Sequence, residues 1–296
     1  MKSQDLIKDS SKIPKGRKIN RDFHFIRLFL SKKAKRLPVA VIFVLSSFEV
    51  AQSTKGSPTL ILVFYRLFLS FGQKLGWFIL NFMNIGAHIP SKNAVEEIKL
   101  RKGDTFQIFI SSPQMWKSPK PREDVEILQD YDGPIYVHAP YLINVATPNN
   151  KVRHPSRKLL KDTCKVAASF GAKGVIVHGG SVGEGGDIGV GYDNWRKAIE
   201  HVEDTGMRVL VENTAGGKNS VARYMDSIER LWEVIGHLNV GLCLDTCHTW
   251  AGGIPTEQAV KGFKKLVKKI DLVHFNDSKD GFESSRDRHE NLGKGQ

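Results

Sequence analysis

Eight side chains in this sequence could do chemistry together: His138, His178, Glu212, Asp245, His248, His274, Asp287 and His289. Five of them (His138, His178, Glu212, Asp245 and His274) each close a short apolar run. One histidine in such a place is more often a satisfied surface or core residue than a ligand. Five metal-capable groups at the ends of successive runs are harder to explain that way, because clustered imidazoles and carboxylates must be paired or metal-bound. Asp245-Thr246-Cys247-His248 puts an imidazole three residues after a carboxylate, at the start of a turn, which serves one metal or two neighbouring ones. In an extended loop, Asp287-Arg288-His289 presents two ligand types on one side. Imidazole and carboxylate without a thiolate set suit zinc or manganese in an open catalytic site. Cys243 and Cys247 flank Asp245 but lack a second cysteine pair, so they read as packing. With Cys164 they make no disulfide framework, and a reducing, cytoplasmic setting is expected.

The elements that must carry these residues begin near Met83. β-rich runs at 84–89, 105–110, 135–138, 174–178, 208–212, 240–245 and 272–276 alternate with stretches of helical periodicity. Trp195, Ala198, Ile199 and Val202 mark one helix; Phe263, Leu266, Val267 and Ile270 mark another. Gly171, Gly206 and Gly236 fall just past helix ends, where a left-handed cap favours glycine. Strands that are apolar throughout and separated by helices imply an α/β fold around a parallel sheet covered on both faces. Seven such strands, with no glycine-rich phosphate loop after the first, fit a TIM (β/α) barrel better than a doubly wound sheet. In a barrel the strand ends converge on one rim, and the polar residues above would meet there.

Residues 1–82 read differently. They hold 15 Lys and Arg against 4 Asp and Glu, so they carry +11 of the net +13 and leave +2 to the rest. The basic character therefore belongs to this segment and argues only weakly for a polyanion partner. Ten of the 16 Phe lie here, with apolar runs at 37–48 and 60–82; Arg66, Gln73 and Lys74 interrupt the longer one. A secretory signal is disfavoured by the long charged lead-in before Leu37 and by Glu49. Three readings of 1–82 stand: translation upstream of a start at Met83, which ranks first; a membrane-associating extension; and a packed helical appendage. The division expected is thus an extension over 1–82 and a barrel over 83–296.

The residues also match a family. Gly241-Leu242-Cys243-Leu244-Asp245-Thr246-Cys247-His248 resembles a signature of the endonuclease IV family of apurinic/apyrimidinic endonucleases. So do Val211-Glu212-Asn213-Thr214-Ala215-Gly216, His274-Phe275-Asn276-Asp277-Ser278 and Asp287-Arg288-His289-Glu290-Asn291-Leu292-Gly293. The resemblance runs from Asn84 to the end, with the motifs in family order. It implies a monomeric TIM barrel with three zinc ions. His138, His178 and Glu212 would hold one zinc; Glu212 would bridge to a second, shared with Asp245 and His274; His248, Asp287 and His289 would hold the third. The reaction implied is hydrolysis of the phosphodiester 5′ to an abasic site in duplex DNA, with zinc activating water and stabilising the leaving oxygen. Glu212 and Asp245 would act as metal-bridging or ligand groups. Gln114, Trp116, Tyr141 and Asn144 fall in loops that would touch the DNA, and an extruded abasic nucleotide leaves the stack cheaply. His88 would stand behind the ligands, while His154, His201 and His237 read as ordinary surface histidines.

One departure accompanies the match. The family's barrel has an eighth strand bringing a glutamate to the second zinc, and no residue after Gln296 supplies one. Seven of eight strands and eight of nine ligands are expected, with a weakened second zinc site, two exposed sheet edges and poor stability. Two alternatives stay open: a sugar isomerase or epimerase on the same barrel with one or two metals, and an inactive truncated remnant.

Overall fold

The computed structural model describes residues 41–44, 84–267 and 269–296. The apolar runs noted in the N-terminal segment lie outside these residues, except Val41–Val44. The described chain forms a closed barrel of eight parallel strands. In chain order they are β1 (Val41–Val44), β2 (Asn84–His88), β3 (Thr105–Ile108), β4 (Ile135–His138), β5 (Gly174–His178), β6 (Val209–Glu212), β7 (Val240–Asp245) and β8 (Leu272–His274). The helices on the outside are α1 (Ala94–Leu100), α2 (Val125–Gln129), α3 (Asn150–Ser169), α4 (Ile188–Val202), α5 (Met225–Ile235), α6 (Thr246–Gly252) and α7 (Thr256–Leu266). Two dipeptides past the last barrel strand, β9 (Asp277–Ser278) and β10 (His289–Glu290), pair antiparallel.

Strands β2 to β8 are the seven read from the sequence, trimmed by one or two residues at some ends. Their burial explains their composition: β3, β4, β6, β7 and β8 are buried at every position. Alternate residues face the barrel interior, where Tyr136, Ile176, Leu210, Cys243 and Leu272 pack together. The others meet the helices in one large core that includes Phe106, Leu160, Trp195 and Phe263. Parallel register sets His178 beside Glu212 and Asp245 beside His274. The apolar runs therefore deliver their terminal polar residues to one rim.

The slot between β2 and β8 is not left open. Val41–Val44 pairs in parallel with Asn84–Ala87 on one side and with Leu272–His274 on the other. Two edges carrying unpaired backbone groups accept a short β-branched segment readily. The edge exposure expected from seven strands is thus relieved by four residues placed, in the sequence reading, outside the barrel.

Two local readings change. Gly171 and Gly206 adopt φ of 74° and 66° as left-handed caps require, but Gly236 stays right-handed at φ −63°. The helical pattern through Ile270 also breaks earlier: α7 ends at Leu266, and Val267 is already extended at ψ 142°. The chain must cross from the helix layer back to the sheet before Leu272, and extended residues cover that distance with fewer positions than helical ones.

Trp195 anchors the helix layer. It is fully buried, and its indole donates to the Gly179 carbonyl at 2.7 Å, tying α4 to the turn after β5. Trp195→Ala is expected to lower unfolding stability by about 3–5 kcal/mol, read as a reduced urea midpoint; a midpoint within error of the parent would contradict this packing role.

Candidate metal centre

At the carboxyl ends of the strands, all eight singled-out side chains come together. Glu212 closes β6 and is 1% exposed. Its Oε2 lies 3.1 Å from His138 Nε2 and 3.3 Å from His178 Nε2; its Oε1 lies 2.8 Å from His274 Nδ1 and 3.5 Å from His248 Nδ1. Asp245 closes β7 with no exposure. Its Oδ2 is 3.6 Å from both His274 Nδ1 and His289 Nε2. The third grouping is a triangle: His248 Nε2, Asp287 Oδ1 and His289 Nε2 are separated by 3.0, 3.1 and 3.3 Å.

Local structure explains these placements. Asp245 is the N-cap of α6, and its Oδ1 accepts from the His248 amide at 2.8 Å. That cap fixes the carboxylate and turns the His248 imidazole back toward the rim. Asp287 comes from the strap between β9 and β10, and His289 opens β10; the strap is docked on α6, where the amides of Glu283 and Ser285 donate to the carbonyls of Trp250 and Ala251 at 3.0 and 2.8 Å. Trp250 packs edge-on against Phe282, and Arg288 grips Asp280 through two nitrogens. The strap holds Glu283 and Ser285 at φ 61° and 60°, conformations that persist only where the surroundings impose them.

Several residues brace the ligand candidates. His138 Nδ1 donates to the Ala139 carbonyl at 2.7 Å, and His248 Nδ1 to the Asn213 carbonyl at 2.8 Å. Such bonds fix which ring nitrogen faces the cluster. Asn213 accepts from the Asp245 amide at 2.7 Å and donates to its carbonyl at 3.1 Å. Asn276 donates to Asp245 Oδ2 at 3.1 Å. Gln107 on β3 links His274 and His88. Sequence reasoning assigned no role to Asn213, Asn276 or Gln107, although both asparagines lie inside the family motifs.

The electrostatics follow from so many titratable groups in one buried place. Burial opposes ionisation of Glu212, but the charges of His274 and His178 outweigh it and hold the carboxyl well below its ordinary range. Asp245 is lowered too, burial being overcome by His248 and His289. Asp287 is lowered strongly: His248 and His289 outweigh its desolvation. Burial pulls His248 and His274 downward, yet the former is held well above 6.5 by Asp245 and Asp287, and the latter by Cys243 and Glu212. Burial lowers His138, and pushes His88 down to about 3 with help from His138 and His274.

The donor set fits divalent cations. Three groups of donor atoms, His138/His178/Glu212, Glu212/Asp245/His248 and His248/Asp287/His289, each lie within 4.8 Å of one another. Tetrahedral zinc with bonds of about 2.0–2.1 Å spaces its donors about 3.3 Å apart, close to the 3.0–3.3 Å edges of the third triangle. Cys243 and Cys247 also stand within reach, beside Glu212 and His274 and beside Asp245 and His289. Burial pushes both thiols up, Cys243 to about 12, which favours the packing reading of the sequence. The strand in the eighth slot brings Val-Ile-Phe-Val and no carboxylate.

The rim opens toward Asp287, whose side chain is 48% exposed. A cleft of about 340 Å³ lies there, lined in part by Tyr141, His178, Thr214, Gly216, Ser285 and Asp287. Tyr141, half-exposed, stacks on His178 at 5.7 Å. Trp116 and Gln114 stand exposed in the loop after β3. Asn144 lines the same cleft, where its carboxamide donates to the Ser181 carbonyl and accepts from the Ser181 amide and so ties two loops together. His154, His201 and His237 are exposed and apart from the cluster, as expected.

Comparison with known proteins agrees with this fold. Residues 96–296 match the family model described as a xylose isomerase-like TIM barrel. A protein of Mycobacterium tuberculosis named "Probable endonuclease 4" is 52% identical over 214 residues, covering 72% of this chain and 84% of its own. One of Mycobacterium leprae with the same name is 49% identical over the same length. The crystal structure of endonuclease IV from Thermus thermophilus superposes with a TM-score of 0.61 at 30% identity, covering 70% of this chain and 81% of that one. A D-tagatose 3-epimerase-like protein superposes at 0.56 with 21% identity, covering 71% and 82%, and shares the fold alone.

The paired shifts give a pH signature for the metal-free protein. His248 and His274 are raised, so their contribution to stability is complete below the unfolded value of about 6.5 and is lost as pH rises through their folded values. His88 and His138 are lowered, so theirs is present above about 6.5 and is lost as pH falls. The lowered carboxylates add a further loss only in acid. With chelator present, the urea midpoint is expected to peak near pH 6.5, and added zinc to raise it most on the alkaline side, because zinc takes deprotonated donors. A midpoint climbing steadily to pH 8.5 in chelator would count against the arrangement.

Proposed function

Because the chain belongs to the endonuclease IV family, we propose that it is a zinc-dependent DNA-repair hydrolase, cutting the phosphodiester 5′ to abasic sites in duplex DNA. The observation that carries this reading is the run of three donor groups on one rim, the first joined to the second through Glu212 and the second to the third through His248. Five imidazoles and three carboxylates exceed what a one- or two-metal sugar isomerase site needs, and that excess favours the nuclease over the epimerase reading of the same fold. Working as a monomer in the cytoplasm is part of the proposal. Among the described residues, no helix is long and apolar enough to cross a membrane.

In this reading His138, His178 and Glu212 hold one zinc, Glu212, Asp245 and His274 a second, and His248, Asp287 and His289 a third. When bound, the zinc ions supply Lewis acidity, activating water and neutralising phosphate charge. The chain's own residues supply the rest. Glu212, buried between two groups, fixes their spacing. Asp245, held by its cap bond and by Asn213 and Asn276, keeps one oxygen aimed at the cluster. The open side at Asp287 is where a phosphodiester would enter, and Gly216 and Ser285 are small residues lining the cleft it would approach. Tyr141, stacked on His178 at the cleft edge, and Trp116 and Gln114, on a neighbouring loop, offer faces against which a disrupted duplex can stack. The near-neutral body, with a charge of only +2 outside residues 1–82, suits a site whose positive charge comes from bound metal.

The test is incision of a duplex oligonucleotide carrying one stable abasic-site analogue. Chelator-sensitive cutting on the 5′ side is expected. Glu212→Gln should slow it by about 10²–10³-fold, the equivalent of roughly 3–4 kcal/mol of lost stabilisation. No cutting by the zinc-loaded chain, beside an active relative in the same assay, would leave an inactive remnant of the family as the correct description.

A further inference from the structure

Three of the cluster's histidines show a protein partner on the ring nitrogen that faces away from the donors. Two use backbone carbonyls, Ala139 for His138 and Asn213 for His248. His274 is different. Its Nε2 donates to the side-chain oxygen of Gln107 at 2.7 Å, while its Nδ1 faces Glu212 at 2.8 Å. Gln107 is 1% exposed on β3, across the barrel from the strands that carry Glu212 and Asp245.

A carboxamide can present either its oxygen or its nitrogen, so this partner alone does not fix the ring. Gln107 Nε2 lies 2.9 Å from His88 Nδ1, and a His88 that accepts there takes the amide nitrogen as its donor. His88 in turn is held by ring contact with Phe109 at 4.7 Å. A cation on Nδ1, the atom among Glu212 and Asp245, takes that nitrogen's lone pair, so the ring hydrogen stays on Nε2 and donates to the amide oxygen, which leaves the amide nitrogen for His88. Reversing the amide would put the hydrogen on Nδ1 and close that position to a cation.

We propose that Gln107, oriented by His88, is a positioning residue that selects the His274 nitrogen available to metal and so sets affinity at the Glu212–Asp245–His274 position. The inference rests on the metal-dependent reading above. Positions in the other groups keep their backbone partners and are independent of Gln107. The outward partner of His274 is a side chain, so substitution can remove it. Partners of this kind contribute about 10–100-fold to metal affinity.

The experiment is zinc binding to the full chain by competition with a chromophoric chelator, with circular dichroism to verify folding, on the parent, Gln107→Leu, Gln107→Glu and His88→Ala. ¹⁵N chemical shifts of the His274 ring report which nitrogen carries hydrogen. Gln107→Leu is expected to weaken one zinc equivalent by about 10–100-fold and leave the others unchanged, with the ring hydrogen no longer confined to Nε2. Gln107→Glu, which keeps an acceptor facing His274, should restore the tautomer and most of the affinity. His88→Ala should give a smaller loss of the same equivalent. Unchanged binding in Gln107→Leu, or equal weakening of all equivalents in Leu and Glu variants alike, overturns the positioning role while leaving the zinc reading intact. A parent that takes up no zinc overturns both.

Discussion

A carboxylate that is 1% exposed inside a barrel cannot stand alone, and the rest of the site can be understood from that constraint on Glu212. Burying an unpaired charge costs several kcal/mol, which must be offset by close partners. Its partners here are imidazoles from four places: His138 on β4, His178 on β5, His274 on β8 and His248 on α6. No Lys or Arg from the described residues pairs with it. A lysine would neutralise the carboxylate for good, whereas imidazoles can give up their protons to an incoming cation and stay as ligands. The same side chains therefore pair the buried carboxylate and form a donor set that fits a cation, with His248 raised by its carboxylates and His138 lowered by burial.

The positions of these imidazoles depend in turn on bonds outside the cluster. Backbone carbonyls are the rigid form of such support, and Asn213 adds a clasp to it. Its side chain holds the backbone of Asp245 from both sides while its carbonyl anchors His248. The strap carrying Asp287 and His289 is less regular. Its two left-handed residues are maintained by hydrogen bonds to α6 and by the Trp250–Phe282 contact. One helix thus supplies His248 and serves as the platform for the other two members of the triangle, so the third group assembles as a unit.

How much of this was legible in the sequence depended on whether the signal was local. Strands β2 to β8 were readable because apolar runs in a covered parallel sheet are continuous, and the five strand-end donor groups were readable because each stands where such a run stops. His248 was legible from its spacing to Asp245, and the cap bond between them is the physical form of that spacing. Asp287 and His289 were visible as a pair and through the family motif, but the strap's docking on α6 was not, since nothing in residues 279–288 announces Trp250 as a partner. Gln107 was invisible for a similar reason: it sits in mid-strand, 167 positions from His274, and only barrel closure brings them together. The bonds of Asn144 to Ser181 were not legible either, because a polar loop residue near a rim looks the same in sequence whether or not it also ties neighbouring loops. Gly236 and the end of α7 were misread because helix termini are decided by where the chain must go next as much as by the residue at the boundary.

The eighth slot of the barrel separates two requirements that usually arrive in one strand. Closing the sheet needs only backbone donors and acceptors at the right register, and any short β-prone segment meets that need; Val41–Val44 does so against both β2 and β8. Completing a metal's ligand set needs a particular side chain at a particular strand end, and Val-Ile-Phe-Val has none to offer. Backbone pairing is permissive, while ligation is specific. A barrel can therefore be closed by a segment that adds nothing to the donor set it frames, while the orientation of Asp245 and His274 rests on the bonds behind them.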